Sequence, residues 1–232
     1  MLGWSTGTAK FEFNFLDFYK TLLPVAPKKI LEIGVEFGNS IIMWRGYFPD
    51  SKIFGLDHFT GVYSNGRTFQ NASLFIDDVK SQSSILDNHI QLVEFDQSNQ
   101  EDYLQFTNYA LNDKIEFDLV IDDGSHQWAD QLLTIKYFSS LMRISNSKSV
   151  LIIEDLHSSL YPTIYKSEMY SLCESPFELI QHLQLFVRKQ NLKSFSLLKK
   201  LDLLAVTENL IDVKIFRDNS HFTAALIYQL KS

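Results

Sequence analysis

Apolar residues fall along the chain in short unbroken runs, separated by longer stretches in which they recur at helical spacing. Lys29–Gly34 (KILEIG), Lys52–Asp57 (KIFGLD), His89–Phe95 (HIQLVEF), Phe117–Ile121 (FDLVI) and Val150–Ile153 (VLII) are such runs. Continuous apolar runs mark parallel strands buried on both faces. Between them, Ser40–Tyr47, Ala72–Asn88, Asp102–Leu111 and Ala129–Met142 carry apolar residues at helical spacing. Strand and helix in alternation predict an α/β fold with a mostly parallel sheet. Phe59–Phe69, rich in Gly, Ser, Asn and Thr, reads as a loop.

The two ends of the chain depart from this rhythm. Phe11–Leu23 places Phe15, Leu16, Phe18, Tyr19, Leu22 and Leu23 at mixed helical spacings before Pro24, which predicts an amphipathic helix within residues 1–28. Phe177–Thr207 reads as mostly helical, with Leu179, Ile180, Leu183, Phe186 and Val187 on one face. Ile211–Phe216 and Phe222–Leu230 are β-like runs flanking Arg217–Ser220, a turn-forming stretch. A hairpin over 208–232 then adds an antiparallel pair to the sheet.

Composition narrows the class. At 232 residues, with 45% hydrophobic residues and 19 Phe, the chain suits one folded domain over 1–232 and excludes the disordered classes. A net charge of −7 argues against nucleic acid as a partner. The single cysteine, Cys173, excludes an internal disulfide or a Cys-built zinc site and suits a reducing compartment. With no long apolar run and no apolar leader, a cytoplasmic protein without a membrane span is expected.

Candidate chemistry lies at the strand ends, where open α/β sheets bind their ligands. Those ends carry Glu32 and Gly34, Asp57, Asp96, Asp122 and Asp123, and Glu154 and Asp155. Short polar residues often cap the following helix, but acids at five successive strand ends exceed what capping requires. Glu32 to Ser40 forms a glycine-containing loop between a strand and a helix, the setting of a nucleotide loop. Glu32 and Glu36 would repel a pyrophosphate above the helix N-terminus. A cationic, phosphate-free nucleoside such as S-adenosylmethionine avoids that repulsion, with Glu32 on its amino group and Asp57 on the ribose hydroxyls.

These blocks resemble the Rossmann-like S-adenosylmethionine-dependent methyltransferases, whose sheet of seven strands carries helices on both faces and ends in an antiparallel hairpin. ILEIGVEFGNSIIMW, YFPDSKIFGLD, FDQS, FDLVIDDGSH and IIEDLHSSLYP, in that order over Phe13–Pro162, are similar to the macrocin and mycinamicin type sugar O-methyltransferases. Some relatives of that family are labelled cephalosporin hydroxylases. Glu36 stands where the loop usually has its central glycine, and Ser145–Lys148 where two glycines are usual. The resemblance implies that Gly34, Gly38 and Ser40 line the methionine part of the cofactor, and that Asp96, Gln97 and Ser98 meet the adenine.

Asp123, Glu154 and Asp155 are candidate ligands for a hard cation, Mg²⁺ before Ca²⁺ or Mn²⁺. His126 is the candidate general base beside Asp123, imidazole being the side chain that titrates near neutrality. Strand alternation turns Asp122 away from Asp123, toward the cofactor or into support of the loop. His157 is an additional polar contact, and His58, His89, His182 and His221 read as structural.

The function expected is metal-assisted O-methylation of a hydroxyl on a sugar, glycan or glycosylated natural product. Phe59–Ile76 would cover the cofactor and 160–207 the acceptor. The Phe-rich surface permits a homo-oligomer. The alternatives are an Fe(II) hydroxylase built on His126, His157 and a carboxylate, and a cofactor-binding protein without turnover.

Overall fold

The apolar runs fold as strands and the amphipathic stretches as helices in a computed structural model that describes residues 15–23, 26–62, 68–69, 88–143, 148–166, 175–188, 198, 203–218 and 221–230. The chain divides into two units, Met1–Asp96 and Gln97–Ser232.

In the first unit, α1 (Phe15–Leu22) precedes β1 (Lys29–Ile33), α2 (Asn39–Tyr47), β2 (Lys52–Asp57), the two-residue strands β3 (Gly61–Val62) and β4 (Thr68–Phe69), and β5 (Ile90–Glu94). β2 lies between β1 and β5 and is parallel to both, with Ile33 opposite Leu56 and Asp57 opposite Glu94. Ile30, Leu31, Ile53, Phe54 and Leu56 are all buried, as strands covered on both faces require. Trp44 of α2 meets Tyr19 of α1 edge-on, ring centroids 5.3 Å apart.

Gly55 sits in the middle of β2, where a Cβ would come within 2.7 Å of Val35 Cγ2 and 2.8 Å of Leu92 Cδ2. A glycine there lets the loop after β1 lie directly on the sheet. The segment expected as a plain loop, Phe59–Phe69, contains the antiparallel pair β3 and β4 instead. Val62, Thr68 and Phe69 are residue types that favour extended backbone, and they override the polar composition between them. The helix expected over Ala72–Asn88 lies outside the described residues but for Asn88, and Phe11–Asn14 of the first helix lies outside them too.

The second unit runs α3 (Gln100–Asn112), β6 (Leu119–Asp122), α4 (Trp128–Arg143), β7 (Ser149–Ile153), a 3₁₀ turn (Leu156–Leu160), α5 (Pro162–Tyr165), α6 (Pro176–Val187), a second 3₁₀ turn (Leu204–Thr207), β8 (Leu210–Asp218) and β9 (His221–Tyr228). β6 and β7 are parallel, β9 is antiparallel to β7, and β8 is antiparallel to β9. Three parallel strands in the first unit, two in the second and a terminal antiparallel pair are the strand complement of the expected Rossmann-like α/β class.

α3 packs on α4 through Tyr103, Phe106 and Phe138, with Tyr103 and Phe138 ring centroids 5.2 Å apart. Tyr228 is buried at the end of β9 and donates to Val206 O at 3.1 Å. Of the mostly helical stretch expected over Phe177–Thr207, the structure describes residues 177–188, 198 and 203–207. α6 starts at a capping box between Ser175 and Glu178 and ends at Val187, and a 3₁₀ turn occupies Leu204–Thr207. Most of the residues between them lie outside the described set, as do Cys173 and Ser145–Ser147.

Gly55→Ala is expected to destabilise the protein by about 1–3 kcal/mol through overpacking against Val35 and Leu92. Urea unfolding monitored by Trp fluorescence reads this directly.

Candidate active site at the strand ends

In the first unit the loop after β1 is organised by one carboxylate. Asp57, at the end of β2, accepts the backbone N–H groups of Val35 (2.9 Å) and Glu36 (3.0 Å) on Oδ2 and that of Phe59 (3.1 Å) on Oδ1. Its expected place on a ribose is thus preceded by a structural task, holding the loop. Gly34 and Gly38 take φ of 88° and 76°, which glycine adopts without strain, and Glu36 takes 47°. Glu36 therefore has the left-handed backbone that a central glycine would supply.

Gly38 is the N-cap of α2 and supplies no side chain, so no side-chain cap bonds the first-turn N–H groups. Such an end of a helix attracts an anionic group. Glu32 is wholly buried in β1, and Ser40 is buried in the first turn of α2. Asp96 is exposed after β5.

The second unit gathers the other predicted residues. Asp123, His126 and Asp155 each present one ligand atom within 4.8 Å of the other two, all partly exposed. His126 Nε2 lies 3.4 Å from Asp155 Oδ2. Glu154, expected among the metal ligands, stands outside this set, which instead includes His126, the expected general base. The reason is local: Glu154 N–H still bonds to Asp122 O (2.9 Å), continuing the ladder of β6 and β7, and its side chain is 2% exposed. Asp155 then turns out of the strand at φ 51°, where its side chain is 26% exposed. His126 has φ 58°.

Two residues read as peripheral also come in. His157 Nδ1 lies 3.7 Å from Asp155 Oδ1, and its ring meets that of His221 edge-on with centroids 4.8 Å apart. Burial holds the His157 imidazole below its usual pKa, against the pull of Asp155. His126 and His157 thus address different oxygens of Asp155. Among the described residues the convergent set holds two carboxylates and one histidine. Two carboxylates and an imidazole on partly exposed loops fit a divalent cation that accepts oxygen ligands.

Asp122 and Gln97 turn inward. Asp122 is wholly buried, and Gln97 Nε2 donates to its Oδ1 at 2.8 Å while Gln97 Oε1 accepts Ser125 N–H at 2.8 Å. Gln97, expected on an adenine, spends both ends of its amide inside the second unit. Asn99 caps α3 by accepting Glu101 N–H, so capping does not account for Gln97, and Ser98 is exposed. Thr134, Tyr103, Asp130 and Ser125 extend the network: Tyr103 Oη and Thr134 Oγ1 are 2.8 Å apart, and Ser125 Oγ donates to Asp130 Oδ2 at 2.5 Å. The sequence signal for it is the polar pair Asp130 and Thr134, one turn apart on α4. Burial pushes the Tyr103 hydroxyl well up from its ordinary pKa, and the Asp122 charge adds to this.

No family model matches the chain. Over 143 residues it is 28% identical to the 8-demethyl-8-(2-methoxy-alpha-L-rhamnosyl)-tetracenomycin-C 3'-O-methyltransferase of Streptomyces olivaceus, which covers 59% of this chain and 30% of that protein. Over 141 residues it is 27% identical to the mycinamicin VI 2''-O-methyltransferase of Micromonospora griseorubida, covering 58% of this chain and 28% of that one. The chain thus spans less than a third of the length of these curated relatives. Among solved structures it is similar to the MycE methyltransferase of the mycinamycin biosynthetic pathway, in complex with Mg and SAH. That match has a TM-score of 0.56 and 19% identity, over 97% of this chain and 49% of that one. The fold is that of the Rossmann-like methyltransferases.

Burial raises the Asp122 pKa from 3.8 to about 6. Because the folded protein holds this proton after the unfolded chain has lost it, stability should fall as pH rises from about 4 to 6 and level off above. Asp122→Asn should remove that part of the slope, roughly 2–3 kcal/mol across the window. Urea unfolding of both proteins at closely spaced pH values, with EDTA present, measures the difference.

Proposed function

We propose that the chain is an S-adenosylmethionine-dependent, metal-assisted O-methyltransferase acting on a hydroxyl of a sugar or glycosylated small molecule. The observation that carries this reading is the convergence of Asp123, His126 and Asp155 just beyond the ends of β6 and β7. The similarity to sugar O-methyltransferases supports the substrate class.

The first unit supplies the cofactor contacts. Gly34, Gly38 and Ser40, at a helix N-terminus without a side-chain cap, suit the carboxylate of the methionine moiety. Glu32 suits its ammonium group. Asp57, with oxygens fixed by loop amides, retains acceptor capacity for ribose hydroxyls. Asp96, exposed after β5, remains a contact for adenine.

Asp123 and Asp155 would hold the cation, with His126 beside them. When bound, S-adenosylmethionine supplies an electrophilic methyl group and the cation supplies Lewis-acid stabilisation of a developing alkoxide. His126 takes the hydroxyl proton at Nε2, the ring atom that faces the acidic pair. Asp155 favours the resulting imidazolium by its charge. His157 and His221 border the acceptor on the Oδ1 side of Asp155. Acceptor choice falls to the segment 160–207, whose Leu160, Tyr161 and Ile164 are exposed.

Calorimetric titration with S-adenosylhomocysteine, with and without Mg²⁺, should show binding, and absence of binding in both conditions rejects the reading. With a glycoside acceptor, Asp123→Ala and His126→Ala should each lower turnover about 10²–10⁴-fold while leaving S-adenosylhomocysteine affinity within about threefold. Unchanged turnover in both variants would leave a cofactor-binding protein without catalysis.

A further inference from the structure

The turn from Asp122 to His126 carries two of the three groups in the convergent set, yet neither Asp123 nor His126 accounts for its shape. Asp122 is a buried carboxylate, and a buried carboxylate must be met by donors. Gln97 Nε2 meets it at 2.8 Å, and Gly124 N–H approaches the same oxygen at 3.3 Å. The other end of the Gln97 amide accepts Ser125 N–H at 2.8 Å. One side chain therefore grips the turn at both sides of Asp123 and immediately before His126. Its own orientation is set by Thr134 Oγ1, 3.4 Å from Nε2.

Two residue identities follow from this grip. Position 124 has to be glycine, because a Cβ there would overlap Gln97 Oε1 and lie 2.9 Å from its Cδ. Position 97 has to be an amide, because one end faces a carboxylate and the other an N–H. Glutamate has the same shape but no donor for Asp122.

We propose that Gln97 is a positioning residue, one that holds the Asp122–Ser125 turn in the path presenting Asp123 to a divalent cation, with His126 placed beside it. The inference rests on the metal reading above and assigns Gln97 no contact with substrate or cation.

The test is Mn²⁺ binding to the full chain, followed by the EPR signal of free Mn²⁺, with thermal unfolding as the control for folding. Gln97→Glu should weaken Mn²⁺ binding about tenfold, the usual effect of losing a partner that orients a ligand. The double variant Gln97→Glu, Asp122→Asn reverses donor and acceptor across the same hydrogen bond and should restore affinity to within about threefold. Gly124→Ala, which displaces the amide without altering it, should reproduce the tenfold loss and serves if Gln97→Glu does not fold. Wild-type Mn²⁺ affinity in a folded single variant overturns the proposal, as does a double variant as weak as Gln97→Glu. Absence of Mn²⁺ binding by the unaltered protein rejects the metal reading itself, and this inference with it.

Discussion

The parallel register of β6 and β7 is the constraint on which the candidate site depends. Asp122 lies opposite Ile153, and the ladder runs one bond further, from Glu154 N–H to Asp122 O. Asp123 is thereby the first residue free of the sheet on one strand, and Asp155 the first free on the other. Strand alternation alone would send neighbouring side chains to opposite faces. The left-handed backbone at Asp155 and at His126 turns both chains where the ladder stops, and this brings the three side chains together.

Left-handed backbone costs a non-glycine residue roughly 1–2 kcal/mol. Among the described residues, Glu36, Phe59, His126 and Asp155 adopt it after the ends of β1, β2, β6 and β7 respectively. Strain of this kind persists where surrounding bonds over-determine it, and it gathers at functional sites. Here the surrounding bonds are visible. Asp57 holds Glu36 and Phe59 through their amides, and Gln97 with Ser125 holds the turn that leads to His126.

The strands were legible because a strand buried on both faces must be apolar throughout, as Leu119–Ile121 and Val150–Ile153 are. The acids were legible because nothing in a core explains Asp123 or Asp155 directly after such a run. Less could be read where the partner lies far along the chain. Gln97 meets Asp122 across 25 positions and Ser125 across 28, so its local context offered only a helix cap and the resemblance alone placed it on an adenine. His221 joins His157 only because β9 pairs antiparallel with β7, setting Ala224 opposite Ile153. The approach of His126 to Asp155 turns on single φ values, which residue types do not encode.

Asp57 shows how a loop can change its letters and keep its path. The N–H groups of Val35 and Glu36 donate to one carboxylate oxygen and hold Glu36 at φ 47°, in the conformation that glycine would take unaided. The path of the loop then depends on the acid at residue 57 more than on the side chain at residue 36. A loop of this kind is inherited as a set of dihedral angles with one anchoring acid, and a search for its glycines alone would pass over chains that fold the same way.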